Sequence, residues 1–263
     1  MFRLERLTLA DLPKEPPRVA VLPLGAIEPH SYHLPYGNDY LTVCRIAELA
    51  CGRAYERGTA VVLLPGIPYG VDKNLLHFPL TIHVSLFTLH RLIGDIIGSL
   101  ERHGVRSLVL LNGHGGNTLK PLLREWYGDT SLFISVVDWW KVGQDKYGEI
   151  FEEPDDHAGE METSVALALY PELVHMERAA YEPPQQSDIE AIRAGWAQMT
   201  RPWHVVAPTS GTADPRKATA EKGRRYVELS VERIATYLQQ LADAQITEGF
   251  PRRRESPGRE TPR

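Results

Sequence analysis

The stretch SLVLLNGHGGN, residues 107–117, decides the fold class of this chain. Its apolar residues 108–111 form an unbroken run, which is typical of a strand buried on both faces of a sheet. The polar turn that follows, residues 112–117, places small glycines around one histidine and leaves its imidazole uncovered. A strand ending in such a turn predicts a parallel α/β sheet with a polar site beyond its carboxyl end.

Three further apolar runs predict strands at residues 19–24, 60–64 and 132–137, and each is closed by Gly, Pro, Asn or Asp. Helical periodicity is found between and after them, in residues 41–57, 84–103, 118–127, 159–169 and 217–244. This alternation predicts an α/β domain in which helices cover both faces of a largely parallel sheet.

Two segments do not fit the alternation of strands and helices. Residues 181–214 contain several prolines and predict a long irregular connection with one short helix, which would serve as a lid or a contact surface. Residues 249–263 are polar and rich in Arg, Pro and Glu, so we expect a disordered tail. One domain is therefore predicted over residues 1–248.

Composition restricts the class of protein. Hydrophobic residues make up 43% and charged residues 24% of the 263, as in ordinary soluble domains. A net charge of -5 argues against a nucleic-acid partner, which would call for a basic face. No stretch resembles a secretory signal, and none reaches the ~18 apolar residues of a membrane span. The sequence thus predicts a cytoplasmic protein with a small-molecule substrate and no membrane partner.

Polar residues capable of chemistry follow the predicted strands. Glu28 and His30 follow the first strand, His114 the third and Asp138 the fourth. Ligands of open α/β sheets bind outside the carboxyl ends of the strands, so these loops are expected to converge on one crevice. The glycine-rich turn lacks both the phosphate-loop and the dinucleotide-binding spacing. An alternative is that its histidine is incidental to a structural turn.

The set formed by Glu28, His30 and the downstream Asp39 mixes carboxylates with imidazole and lacks cysteine. Such a set suits Zn(II), Mn(II) or Fe(II) in a catalytic site rather than a closed structural zinc site. Standing alone, a Glu-x-His pair is more often a satisfied surface pair. The metal hypothesis therefore depends on the other clusters.

A third cluster is DDHAGEMETS, residues 155–164, followed by an apolar run. If a helix begins near Ala158, Glu162 shares a face with Ala166 and Leu169 and points inward. An inward carboxylate requires a partner, which a metal or a histidine could supply. The alternative, an acidic first turn favoured by the helix dipole, explains the acidic residues of 155–160 but not Glu162.

Together these motifs resemble the creatininase family of metal-dependent amidohydrolases over roughly residues 15–240. The matching elements are Glu28-Pro-His30 with Asp39, Asn112-Gly-His114, His157-Ala-Gly-Glu-Met-Glu162-Thr-Ser, and the stretch from Asp214 to Gly223. The resemblance implies a three-layer α/β/α sandwich and a homohexamer. It also implies one metal on Glu28, Asp39 and His114, a second on His30 and a bridging Asp39, and a proton shuttle at His157.

The chain departs from the family pattern at three positions. Gly116 stands where creatininases proper carry a glutamate that binds the second metal, and Pro29 and Ser31 replace a Gln and a Gly. Either Glu162 supplies the missing carboxylate or the second site is weak. Creatinine is accordingly not expected to be the substrate.

The sequence thus predicts an amidohydrolase that cleaves a C–N bond of a small polar amide, formamide or cyclic amide. It would use two divalent ions, with His157 and Glu162 as catalytic residues. Three alternatives remain open: a hydrolase of a cyclic sugar-derived ketone or lactone, a non-catalytic metal- or small-ligand-binding protein, and a redox enzyme with mononuclear iron. Four aromatic side chains are candidates for either pocket lining or packing: Tyr69, His77, Trp139 and Trp140.

Overall fold

A central sheet of four parallel strands organises the computed structural model, which describes residues 2–247 and 249–251. Its strand order is β2-β1-β3-β4, and every neighbouring pair is parallel. The bounds are Val19–Leu24 for β1, Val61–Leu63 for β2, Ser107–Asn112 for β3 and Phe133–Asp138 for β4. All four predicted strands are confirmed. Most of the predicted tail, residues 252–263, lies outside the described residues.

Three long helices and several short ones surround the sheet. The bounds are Asn38–Glu56 (α1), Leu86–Arg102 (α2), Leu122–Glu125 (α3), Tyr147–Ile150 (α4), Glu160–Leu169 (α5), Glu190–Arg193 (α6), Trp203–Val206 (α7) and Ala220–Asp243 (α8). Among the described residues, no helix combines the length and the apolar character needed to cross a membrane.

Both faces of the sheet are covered, as the alternation of side chains along β1 shows. Val19 and Val21 pack in a core cluster with α1, α5 and α8, whereas Ala20 and Leu22 pack in a second cluster with α2. Strands with two buried faces must be apolar throughout, which explains their unbroken apolar runs. The predicted three-layer α/β/α architecture is confirmed.

Two predicted elements differ from the structure. The helix expected over residues 118–127 is only the single turn α3. Pro121 at its N-cap has no N–H to donate to a preceding turn, so the helix does not extend toward residue 118. The connection over 181–214 contains two short helices, α6 and α7, rather than one. The other predicted helices agree to within a few residues, and α1 begins early enough to place Asp39 in its first turn.

Gly223 sets the distance between α5 and α8, and we expect Gly223→Ala to be strongly destabilising. A Cβ at this position would lie 1.8 Å from the backbone oxygen of Ser164, which cannot move without shifting α5. Overpacking of this kind costs roughly 3 kcal/mol, equivalent to about 6–12 °C in Tm for a domain of this size. Gly98→Ala on α2 is the matched control, because its Cβ would meet nothing within 4 Å. Equal thermal melts for the two variants would contradict this account.

Candidate active site

Three strand ends lie side by side and bring their loops to one edge of the sheet. In the parallel register, Leu24 of β1 is paired with Asn112 of β3, which is paired in turn with Asp138 of β4. The order β2-β1-β3-β4 also means that the chain leaves β1 and β3 on opposite sides, which opens a crevice between them. The predicted convergence of these loops is confirmed.

Two asparagines fix the glycine-rich turn after β3. The Asn112 side chain donates to the carbonyl oxygen of His114 at 3.0 Å and to Asp138 Oδ1 at 2.9 Å. Asn117 donates to the carbonyl oxygen of Gly25 at 3.3 Å and accepts from the N–H of Val71 at 3.1 Å. The turn is thereby tied to the loops after β1 and β2. His114 is consequently held at a defined position rather than placed incidentally.

Asp39 lies at the centre of the site and contacts two histidines at once. Its Oδ1 is 2.8 Å from Nε2 of His30, and its Oδ2 is 3.0 Å from Nδ1 of His114. All three side chains are buried, Asp39 with only 3% of its surface exposed. One carboxylate between two imidazole nitrogens is the arrangement expected of a residue that bridges two cations.

Glu28 is buried beside this group with one oxygen unpaired. Its Oε1 lies 3.3 Å from Nδ1 of His114 and 3.7 Å from Nδ1 of His157. Its Oε2 is buried and has no hydrogen-bond partner among the described residues. A buried oxygen without a donor is costly, so this atom is available to a cation.

Glu162 reaches the same centre from the first turn of α5. Its Oε2 accepts a hydrogen bond from the N–H of Ala158 at 2.6 Å and lies 3.9 Å from Nε2 of His30. Ala158 has a φ of 55°, a conformation unusual for a residue other than glycine, which turns its N–H toward the carboxylate. Glu160 is buried elsewhere, where it pairs with Lys222. The Glu162 carboxylate therefore points into the site, as its helical spacing predicts, while Glu160 in the same turn is buried away from it.

Each of the three site histidines has one ring nitrogen against a protein oxygen and the other toward the centre. Nδ1 of His30 lies 3.2 Å from the carbonyl oxygen of Glu28, and Nε2 of His157 lies 2.9 Å from that of Pro29. Because a carbonyl can only accept, these nitrogens carry the protons. When the rings are neutral, as metal binding requires, the lone pairs of the opposite nitrogens are directed into the site.

Asp72, which follows β2, is a site residue that the sequence interpretation missed. It is fully buried, and its Oδ1 lies 2.8 Å from Nε2 of His114. The glycine-flanked His114 has a recognisable motif, but Asp72 stands in an irregular loop where no pattern distinguishes it. The one available signal is its position after a predicted strand, because the loops at the carboxyl ends of parallel strands meet at one edge of the sheet.

Donor atoms of the site fall into three groups that could each hold a metal ion, with the atoms of each group within 4.8 Å of one another. One group consists of Glu28, Asp72 and His114, a second of His30, Asp39 and Glu162, and a third of Glu28, His30 and His157. The donor set is rich in carboxylate and imidazole, which suits Mn or Zn. The side chains present therefore fit a divalent cation.

Burial and mutual charge shift the pKa of almost every group here. Burial raises the pKa of Glu28 to about 7 and that of Glu162 to about 8. Burial alone would lower the pKa of His30, but the adjacent Asp39 raises it to about 10. Burial would raise the pKa of Asp39, yet the charge of His30 and the bonds to both histidines hold it far below its usual range. Metal binding requires protons to leave these groups, so it is expected to release protons.

Residues 201–210, in the connection before α8, cover the site and are called the roof below. Trp203 of α7 is 8% exposed and lies edge-on to the His157 ring at 5.1 Å, while His30 lies against that ring at 4.1 Å. Arg201 forms an ion pair with Asp156 at 3.1 Å and lies over Trp203. Ser210 accepts from the N–H of Ser31 at 2.8 Å. The sequence predicted a lid or contact surface, and this part of the connection covers the site.

Beneath the roof is a cleft of about 920 Å³, at whose base lie Glu28, Asp39, His114 and Glu162. Trp140 lines the cleft, whereas Trp139 is buried in the core against Tyr226. The His77 ring lies against His204, with the ring centres 3.7 Å apart and the planes tilted by 34°. Other lining side chains include Lys73, Asn74, Thr118, Asp155, Asp156, Thr200 and Arg201. The cleft is accordingly polar and of a size for a small molecule.

Gly116 is required because the His114 ring occupies the adjacent space, and we expect Gly116→Glu to impair folding and metal binding. A Cβ at 116 would lie 2.2 Å from Nε2 of His114 and 2.5 Å from the backbone oxygen of Val71. The overpacking is expected to cost ~1–3 kcal/mol, measurable by denaturant unfolding. Gly115→Ala is the control, since its Cβ would meet nothing within 4 Å. If Gly116→Glu gained a tightly held second ion, this conclusion would be wrong.

Comparison with known proteins identifies related sequences. The creatininase family model, described as creatinine amidohydrolase, matches residues 5–238. A creatinine amidohydrolase of Pseudomonas putida is 33% identical over 82% of this chain and 87% of that protein. A 3-dehydro-scyllo-inosose hydrolase of Thermotoga maritima is 29% identical over 94% and 81%. A mycofactocin precursor peptide peptidase of Mycobacterium tuberculosis is 30% identical over 89% and 90%.

Solved structures agree with the sequence matches. A protein from Bacteroides fragilis, assigned as a creatinine amidohydrolase, superposes with a TM-score of 0.86 at 34% identity, covering 94% of this chain and 98% of its own. A manganese creatininase superposes with a TM-score of 0.72 at 28% identity, covering 92% and 99%. A Zn–Zn form of a creatininase variant gives 0.69 at 29% identity, covering 92% and 98%.

Proposed function

The chain belongs to the creatininase family of hydrolases, and from its site we propose an amidohydrolase that holds two divalent ions and cleaves a C–N bond of a small polar amide. The observation that carries the proposal is Asp39, whose two oxygens contact His30 and His114 on opposite sides of one buried centre. Relatives that act on creatinine, on 3-dehydro-scyllo-inosose and on a precursor peptide all belong to the class of hydrolases.

The residues that would hold the ions follow from the contacts of His114 and from one of the donor groups. Glu28 and Asp39 both lie within 3.3 Å of Nδ1 of His114, which defines one position, and the group of His30, Asp39 and Glu162 defines a second. In this assignment Glu162, from α5, supplies the carboxylate that Gly116 does not. Zn, Mn and Fe are all compatible with the ligand set. When bound, such ions supply a nucleophile from water near neutral pH and polarise the carbonyl under attack.

His157 is the residue placed to move the proton. Its Nε2–H is held by the Pro29 carbonyl at 2.9 Å, so the lone pair on Nδ1 faces the cleft. Burial and the positive charge of His30 lower the pKa of His157 to about 3, so the ring is neutral at pH 7. Loss of the His30 proton on metal binding removes the second of these effects and makes the ring a better acceptor for a proton from the attacking water. The ring can then donate that proton to the leaving nitrogen. Trp203 and the roof shield the ring from bulk water.

The test combines metal analysis with product analysis. Elemental analysis of the purified protein should give up to two divalent ions per chain, and chelation should abolish turnover. A panel of formamides, cyclic amides, lactones, cyclic ketones and short peptides is then assayed in ¹⁸O-labelled water. Label in a new carboxylate together with release of an amine supports the proposal. Full activity without metal would contradict the proposed function.

A second candidate substrate class is a cyclic sugar-derived ketone or lactone. It is favoured by the Thermotoga maritima hydrolase, whose match extends over 94% of this chain. The same base and the same cation site would serve this reaction, because only the leaving atom changes. Activity confined to ketones or lactones in the panel would select this candidate and exclude the amidase.

We also propose a homo-oligomer, with the hexamer preferred, and a cytoplasmic location. The nearly full exposure of two apolar side chains, Leu80 at 86% and Phe87 at 80%, supports a contact surface. Closed symmetric assemblies are common among soluble enzymes. Light scattering that gives a monomer at working concentrations would contradict the oligomer and leave the family assignment unaffected.

A further inference from the structure

Asp72 is a buried carboxylate placed directly behind a proposed metal ligand. It is 0% exposed, and its Oδ1 lies 2.8 Å from Nε2 of His114. Neither of its oxygens has a well-formed hydrogen bond among the described residues, so the ring of His114 is the partner available to this carboxylate. The same ring nitrogen, Nε2, lies 3.4 Å from the carbonyl oxygen of Val71. Oxygens therefore lie against both nitrogens of the ring, because Asp39 and Glu28 lie beside Nδ1. A divalent ion that displaces the proton on Nδ1 leaves the remaining proton on Nε2, beside Asp72.

The opposite nitrogen of the same ring faces the centre. Nδ1 of His114 lies 3.0 Å from Asp39 Oδ2 and 3.3 Å from Glu28 Oε1. We propose that Asp72 is a positioning residue, which holds the Nε2–H of His114 so that Nδ1 is presented to a divalent ion between Glu28 and Asp39. The inference rests on the metal centre proposed above and adds a residue outside its ligand set.

The acceptor beside the outward-facing ring nitrogen of His114 is charged, whereas the acceptors beside the corresponding nitrogens of His30 and His157 are neutral. His30 and His157 are held by the neutral carbonyls of Glu28 and Pro29. Only His114 of the three has a carboxylate behind it in the described site. A negative charge at that place makes the imidazole a stronger donor to a cation. Asp72 should therefore strengthen binding of the ion held by His114 more than that of the ion held by His30.

Gly116 and the loop of Asp72 make the contact possible. Because a Cβ at 116 would lie 2.2 Å from Nε2 of His114, a side chain there would displace the ring from Asp72. The loop itself is anchored by the N–H of Asp72, which donates to Nδ1 of His83 at 3.1 Å. The absence of a side chain at 116 and the presence of a carboxylate at 72 are thus structurally linked.

The experiment compares Asp72→Ala, Asp72→Asn and the surface control Asp95→Ala. Calorimetric titration of each metal-stripped protein with Mn²⁺ and with Zn²⁺ measures the affinities, and circular dichroism verifies folding. We expect Asp72→Ala to weaken the site held by His114 by ~10–100-fold and to leave the site held by His30 nearly unchanged. Asp72→Asn should recover only part of that loss, because its amide oxygen accepts the same proton but carries no negative charge. Asp95→Ala should leave the affinity unchanged.

Nitrogen-15 NMR of the imidazoles supplies a readout that a structural role alone would not change. In the Zn²⁺-loaded wild type, the His114 proton should reside on Nε2, and in Asp72→Ala it should exchange faster with water. Unchanged affinity and exchange in Asp72→Ala would overturn the inference. So would a loss in Asp72→Asn as large as in Asp72→Ala, which would make Asp72 a direct ligand. A wild type that binds neither ion would instead overturn the proposed function.

Discussion

Asp39→Ala is expected to abolish metal binding at both positions and to remove turnover with it. The two oxygens of Asp39 contact His30 at 2.8 Å and His114 at 3.0 Å, so one substitution takes a ligand from each proposed ion. The loss of affinity should exceed the ~10–100-fold typical of a residue that only orients a ligand. Metal content by elemental analysis and kcat on the active substrate measure the effect.

The controls separate loss of the bridge from loss of the fold. His30→Ala should reduce occupancy at the second position and spare the first, because Glu28 and His114 remain. Removing one partner of a buried ion pair can cost ~3–5 kcal/mol, so Asp39→Asn, which keeps the shape, accompanies Asp39→Ala. The surface variant Asp129→Ala should behave as wild type. Retention of two ions by folded Asp39→Ala would refute the bridging role.

The fold could be predicted from the sequence because its strands are buried on both faces. A run such as residues 107–112 has no polar face, and the residues that follow it must turn at the carboxyl edge of the sheet. The same reasoning places Glu28, His114 and Asp138 near one another. The helix predicted over 118–127 is wrong, because the apolar spacing predicts a long helix whereas Pro121 confines it to a single turn.

The parts of the site that sequence reasoning missed are contacts between distant segments. Asp72 and His114 are separated by 42 positions, and nothing in the pattern around Asp72 indicates a buried carboxylate. Trp203 likewise meets His157 from a proline-rich connection that has no periodicity. Such contacts depend on how loops pack over the sheet edge, which local pattern does not determine. The same packing of loops brings their polar side chains into the cleft.

His157→Ala is expected to reduce turnover by ~10²–10⁴-fold, the usual effect of a lost general acid–base group. The reason is geometric, since the Nε2–H is bound to the Pro29 carbonyl and the free Nδ1 lies 3.7 Å from Glu28 Oε1. Metal content should be unchanged, because Glu28, Asp39 and His114 are retained. Steady-state kinetics and elemental analysis on the same preparation provide the two readouts.

The leaving group distinguishes proton transfer from other roles of His157. A poorly basic leaving nitrogen, as in an activated anilide, departs without prior protonation, so the variant should lose much less activity on such substrates than on alkyl amides. The exposed His103→Ala is the matched control and should show no loss on either. An equal loss on both substrate types would exclude proton donation to the leaving nitrogen and leave the ring as a base for water or as a packing partner of Trp203 and His30. Loss of an ion would instead make His157 a ligand, as its place in a group with Glu28 and His30 allows.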